Sequence, residues 1–152
     1  LNVHVTIEPG RSIVGNAGLL LSRVVQVKKG RDKKFLILDA AMNDLLRPSL
    51  YGAYHAILPC KKASAKTLYD VVGPVCETGD TFLVNEKLPA LKAGDLVAIM
   101  TSGAYGAVMS SNYNTRPLAA EVLVKGSKFA LVRGLQSVEE IVSRDIIPGW
   151  VA

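Results

Sequence analysis

The sequence predicts a mainly β fold, a β-sandwich or Greek-key barrel of short strands. Three observations carry the prediction. Short strand-like segments follow one another along the chain, and Gly, Pro, Asn or Asp punctuates them about every ten residues. Two pairs of these segments are joined by polar turns, Lys28–Lys34 and Lys125–Lys128, in the manner of hairpins. With 152 residues, 49% of them hydrophobic, and a mean hydropathy of +0.27, the chain can bury a real core in one domain and is too apolar for disorder.

In chain order, Leu1–Ile7 sets Val3, Val5 and Ile7 against His4 and Thr6, the alternation of a strand, and Pro9 ends it in the turn Glu8-Pro9-Gly10-Arg11. Leu19–Val27 and Phe35–Leu38 are the strands of the first hairpin, with Gly30 in its turn. Asp39–Tyr54 changes character. Asn43, Asp44 and Pro48 punctuate it, and Leu45, Leu46, Leu50 and Tyr54 can line one side of short helical turns. Brief strands are expected at Ala56–Leu58, Thr67–Val72, Thr81–Val84 and Asp95–Thr101. Ser102–Asn114 is a loop rich in Gly, Ser and Asn, with a helical turn around Ala104–Met109. Pro117–Val124 and Phe129–Val132 form the second hairpin. Ser137 then caps a short helix, with Glu140 at its third position.

Several function classes are disfavoured. The longest apolar runs, Ala17–Leu21 and Phe35–Leu38, fall far short of the roughly 20 residues of a membrane span. His4 and Glu8 interrupt the first apolar stretch, so no signal peptide is read there. Cys60 and Cys76 lie 16 positions apart without CxxC spacing, which makes neither a metal site nor a disulfide framework and points to a reducing cytoplasm. The net charge of +5 comes largely from pairs at turns, Lys28-Lys29, Lys33-Lys34 and Lys61-Lys62. That pattern reads as a solvated rim. Nucleic-acid binding prefers a basic stripe with interleaved aromatics, and only 6% of the chain is aromatic.

Chemistry concentrates in Gly73-Pro74-Val75-Cys76-Glu77-Thr78-Gly79-Asp80, a turn-rich frame that presents a thiol beside a carboxylate. By itself such a thiol can be a proton donor, a nucleophile, a metal ligand or an inert small hydrophobe. Three other stretches accompany it. They are Glu8-Pro9-Gly10-Arg11-Ser12, the run from Asp39 to Tyr51 that ends Arg47-Pro48-Ser49-Leu50-Tyr51, and Gly103-Ala104-Tyr105-Gly106 followed by Ser111-Asn112-Tyr113-Asn114. In this order and at these separations, over essentially the whole chain, the sequence resembles the C-terminal part of the diaminopimelate decarboxylase family.

The resemblance implies a pyridoxal-phosphate enzyme of the alanine-racemase-like class, fold type III, with an N-terminal α/β barrel followed by a β domain. Such enzymes remove the carboxylate at the D-centre of meso-2,6-diaminopimelate and leave L-lysine. On that pattern, residues 1–11 are the last barrel strand with its phosphate-side turn, and 12–152 are the β domain with short helices. The cofactor-carrying lysine and the glycine-rich phosphate loop have no match here, and the chain begins at Leu1 rather than Met. A C-terminal fragment, inactive alone, is therefore expected. The resemblance also implies a homodimer with a shared active site, in which the Cys-Glu segment enters the partner's cofactor site.

The same resemblance assigns roles. Cys76 matches the proton donor, which must be protonated to act, and a thiol of ordinary pKa, about 8.5, is mostly protonated at neutral pH. An ionised carboxylate beside it disfavours the thiolate further. Glu77 matches the acceptor of the substrate's distal ammonium, and Arg11 and Arg47 match the grip on its distal carboxylate, where a planar fork can bind in two places. Tyr51 and Tyr105 match substrate-contacting hydroxyls, Tyr105 also lying beside the cofactor with Gly103 and Gly106 giving its backbone room. Glu8, Pro9, Gly10 and Arg11 match the turn that closes on the cofactor phosphate. Asn112, Asn114 and Arg116 belong to the pattern without a role. His4 and His55 read as structural, and no metal is expected.

A substrate carrying an amino-acid group at each end needs one end clamped while the other reacts. Two arginines and a glutamate make the minimal clamp, whereas ornithine would need acid at its far end but no arginine. A sister decarboxylase acting on ornithine, arginine or carboxynorspermidine, and a non-catalytic β binding domain, stand as alternatives.

Overall fold

The computed structural model describes residues 2–62 and 66–151. The first hairpin forms as its pattern predicts. Strands β1 (Leu20–Lys29) and β2 (Lys34–Leu38) pair antiparallel, and Lys29 opposes Lys34 across the turn. Ser22 and Val24 point inward, then a bulge between Val24 and Gln26 shifts the alternation so that Val27 faces the core next. The bulge also lets one strand serve two partners, because residues 20–23 of β1 pair with β6 (Leu96–Ile99).

The remaining strands are β3 (Ile57–Pro59), β4 (Lys66–Val72) and β5 (Thr81–Pro89). They complete a six-stranded sheet in the order β3-β6-β1-β2-β4-β5, antiparallel throughout except for the parallel pair β2–β4. The edge strands β3 and β5 approach one another, so the sheet curls into a nearly closed barrel rather than a sandwich. Its interior is filled by Leu36, Leu38, Val71, Val97 and Ile99, each wholly buried. Burying each such side chain contributes about 1.5–3 kcal/mol.

Asp39–Leu46 leads from β2 into the short helix α1 (Arg47–Tyr51). Asp44 Oδ2 accepts the Ala41 N–H at 2.8 Å, a tight turn that drives Leu45 into the core. Leu50 and Tyr54, expected on the same side as Leu45, are instead exposed. Pro48 in the first turn and Gly52 at φ 60° just past the end restrict α1 to five residues, too short to line up that face.

Of the strand expected over Leu1–Ile7, Leu1 lies outside the described residues, and the described part forms no strand. Residues 2–10 have no regular structure, and Val3, Val5 and Ile7 are exposed. Alternation gives a segment a face, but a strand also needs a neighbour for its N–H and C=O groups.

The contacts divide the chain into two compact units, Leu1–Met109 and Ser110–Ala152, within the span that the sequence reading kept whole. In the second unit, β7 (Glu121–Lys125) and β8 (Lys128–Arg133) pair across a two-residue turn with Gly126 at φ 61°. Glu121 and Arg133 form an ion pair at its open end. Helix α2 (Val138–Val142) carries the expected capping box. Ser137 Oγ accepts the Glu140 N–H at 3.1 Å, and Glu140 Oε2 accepts the Ser137 N–H at 2.7 Å. Asn112 gains a structural role here, donating from Nδ2 to the Arg116 carbonyl at 2.8 Å and to Gln136 Oε1 at 2.6 Å.

Candidate functional site

Helix α1 places Arg47 and Tyr51 four residues apart, hence on one face. The Arg47 guanidinium lies over the Tyr51 ring, 5.4 Å from its centroid, and over the Tyr105 ring, 5.6 Å from its centroid. Its Nε is buried and has no hydrogen-bond partner among the described residues. A buried N–H without an acceptor costs about 1–3 kcal/mol, more when charged. The fold thus holds a cation in place with one donor unsatisfied.

Tyr105 reaches this cluster from a strained loop, with its own φ at 56°. The loop is pinned to the 3-10 turn Gly15–Ala17 and its flanks. The Ser102 N–H donates to the Gly18 carbonyl at 2.9 Å, the Gly103 N–H to the Gly15 carbonyl at 3.1 Å, and the Thr101 hydroxyl to Asn16 Oδ1 at 3.0 Å. A Cβ on Gly103 would stand 2.0 Å from the Val14 carbonyl oxygen. That glycine is therefore required for close packing of two main chains. The pinning also brings up the Glu8-Pro9-Gly10-Arg11 turn: the Gly15 N–H donates to the Arg11 carbonyl at 2.8 Å, and a Cβ on Gly10 would stand 3.8 Å from Tyr105 Oη.

The Cys76–Glu77 loop also approaches α1, through Gly79. It leaves β4 at Gly73 and enters β5 at Thr81, and the Gly73 N–H donates to the Asp80 carbonyl at 2.9 Å. Inside this closure the Glu77 N–H donates to Val75 O at 2.8 Å, and Glu77 Oε1 accepts the Gly79 N–H at 3.2 Å. Cys76 is a free, exposed thiol, and Glu77 and Thr78 are exposed beside it. Gly79 rests against α1, for a Cβ there would come within 2.6 Å of Ser49 Oγ. A cleft of about 460 Å³ between α1 and β5 has Ser49, Gly79 and Glu86 among its walls. None of Arg47, Tyr51, Tyr105 or Cys76 lines it, so it is not the centre of the site.

The structure therefore gathers Arg47, Tyr51, Tyr105 and Gly10 into one cluster and puts Cys76 and Glu77 on a neighbouring loop. Glu8, Pro9 and the Arg11 side chain are exposed. The sequence reading gave Asp80 no role beyond its place in the motif, yet its buried carboxylate accepts the Met42 N–H at 2.7 Å and the Val75 N–H at 2.8 Å. Cys60 is exposed at the end of β3. His55 is buried, its Nδ1 2.9 Å from the Met100 carbonyl. Among the described residues, no group of three or more His, Cys, Asp or Glu could hold a metal ion, and no helix is long and apolar enough to cross a membrane.

Pyridoxal phosphate would present anionic oxygens and an aromatic ring. The Tyr105 hydroxyl facing the Gly10 turn fits such a group, as a donor beside main-chain N–H groups next to a glycine. The turn and Tyr105 would hold it.

Comparison with known proteins narrows the chemistry. Residues 12–103 match the family described as pyridoxal-dependent decarboxylase, C-terminal sheet domain. A diaminopimelate decarboxylase of Zymomonas mobilis is 52% identical over 150 residues, covering 99% of this chain and 36% of the relative. The crystal structure of a diaminopimelate decarboxylase from M. jannaschii superposes with a TM-score of 0.92 at 37% identity, over 95% of this chain and 33% of that one. A diaminopimelate decarboxylase from Helicobacter pylori, solved in complex with L-lysine, gives a TM-score of 0.84 at 47% identity, over 90% of this chain and 34% of that one. The chain thus spans about a third of the length of the relatives it matches.

Proposed function

We propose, because the chain belongs to the pyridoxal-dependent decarboxylases as their C-terminal sheet domain, that it is part of an enzyme converting meso-2,6-diaminopimelate to L-lysine and carbon dioxide. The observation that carries the reading is Arg47, stacked on Tyr51 and Tyr105 with a buried Nε–H that has no acceptor among the described residues. A carboxylate of the substrate completes that site. The fork geometry of a guanidinium suits it, and the two ring contacts help hold the guanidinium in place.

Pyridoxal phosphate, when bound, withdraws the electron pair left by the departing carboxylate. The residues of this chain do the rest. Arg47, with Arg11, holds the distal carboxylate, and Glu77 receives the distal ammonium. Tyr51 and Tyr105 border the substrate. The Glu8-Pro9-Gly10-Arg11 turn and Tyr105 hold the cofactor from the phosphate side. Cys76 donates the proton from Sγ to the carbon that lost its carboxylate. Because both Cys76 and Glu77 project from an exposed loop, we assign them to the site of a second subunit in a homodimer. Two exposed free cysteines fit a reducing cytoplasm.

The test is an assay of the whole protein with pyridoxal phosphate for carbon dioxide release from meso-diaminopimelate, ornithine and arginine. Release from diaminopimelate alone is expected. Release only from ornithine or arginine would assign the chain to a sister decarboxylase, and no release from any of them would leave a binding domain.

A further inference from the structure

Asp80 is 3% exposed and sits where two segments meet. One carboxylate oxygen accepts the N–H of Val75, the residue before Cys76, at 2.8 Å. The other accepts the N–H of Met42 at 2.7 Å, in the segment that runs into α1. The Asp80 main chain closes the same loop, its carbonyl accepting the Gly73 N–H at 2.9 Å and its N–H donating to Glu77 O at 3.1 Å. Gly73 is shaped for this carboxylate: a Cβ there would stand 2.2 and 2.3 Å from its two oxygens. Gly79 adds a second point of attachment, against Ser49 of α1.

We infer that Asp80 is the positioning residue of the Cys76–Glu77 loop. It fixes where the thiol and carboxylate stand relative to the segment that carries Arg47 and Tyr51. A carboxylate is suited to this because it only accepts, so it can bridge two main-chain N–H groups from different segments at once. An asparagine would turn an N–H donor toward one of them. The inference rests on the role proposed for Cys76 and adds the device that holds it.

Three variants of the full-length protein separate positioning from stability. Asp80→Asn removes one acceptor, and Gly73→Ala displaces the carboxylate without altering it. Asp70→Asn is the control, an equally buried carboxylate of the same sheet that accepts the Asn85 N–H and pairs with Lys33, away from the loop. In Asp80→Asn and Gly73→Ala, amide hydrogen exchange over residues 73–80 and at Met42 should speed up. The kcat should fall about ten- to a hundredfold, as expected for a group misplaced by about 1 Å, and KM should rise as well, because Glu77 moves with the loop. Asp70→Asn should lower the melting temperature and change neither. The inference is overturned if exchange over 73–80 stays as in the parent, or if kcat falls no further than in Asp70→Asn. Should Cys76→Ala itself keep full kcat, the proton-donor reading fails first, and exchange alone then decides whether Asp80 holds the loop.

Discussion

Arg47 owes its position to two neighbours that differ in how visible they are in sequence. Tyr51 is four residues away on a helix, so its contact follows from spacing once a helical turn is expected there. Tyr105 is 58 positions away and reaches the guanidinium only because the loop around Gly103 packs on the Val14–Gly18 turn. No local pattern predicts that. The prediction at this scale is Arg47→Lys, which keeps the charge but loses the planar fork and the stacking. One charge-assisted hydrogen bond is worth about 1.5–3 kcal/mol, so kcat/KM for diaminopimelate should fall about 10- to 100-fold. Steady-state kinetics of the full-length protein checks this, and a variant within about twofold of the parent would show that Arg47 does not grip the substrate.

Asp80 and Asp70 show why the sequence underspecified the elements. Asp80 was legible as part of a motif, yet its partner at Met42 lies 38 residues away, and nothing in either segment announces the bond. The parallel pairing of β2 with β4 was equally unreadable, because strand patterns give faces, not neighbours. Capping and hairpin turns were readable because their determinants are adjacent in sequence, as at Ser137 and Glu140. The strand expected over Leu1–Ile7 failed for the converse reason, a local pattern without a partner.

Asp70 carries a prediction at the element scale. Burial pushes its carboxyl up, but the Lys33 hydrogen bond, the Asn85 N–H and the Lys33 charge outweigh burial and hold it below its ordinary value of 3.8. The Asn85 N–H is offered by a residue at φ 54° where β5 bulges against β4, so the carboxylate stabilises that irregularity. A depressed folded pKa stabilises above the unfolded value and is lost as pH falls through the folded one. Lys33 is half exposed, so Asp70→Asn should cost only about 1–2 kcal/mol near pH 7. The urea midpoints of parent and variant should differ at pH 7 and converge below about pH 4. A gap that persists unchanged to pH 2 would assign the effect to packing instead.

At the scale of the whole molecule, the barrel-like sheet serves as a frame for the two segments to which the proposed function assigns its chemistry. One is the Arg47–Tyr51–Tyr105 cluster, and the other is the exposed loop of Cys76 and Glu77, which meets α1 at Gly79 and Ser49. If one subunit's loop completes its partner's site, the two segments of a single chain serve different sites. Complementation tests this directly. Full-length Cys76→Ala and Arg47→Ala should each lose about a hundredfold or more in kcat/KM. Mixing them under subunit exchange makes half of the dimers hybrids with one intact site of two, so about a quarter of parental activity should return. Mixtures that exchange subunits yet stay as inactive as the separate variants would contradict the account.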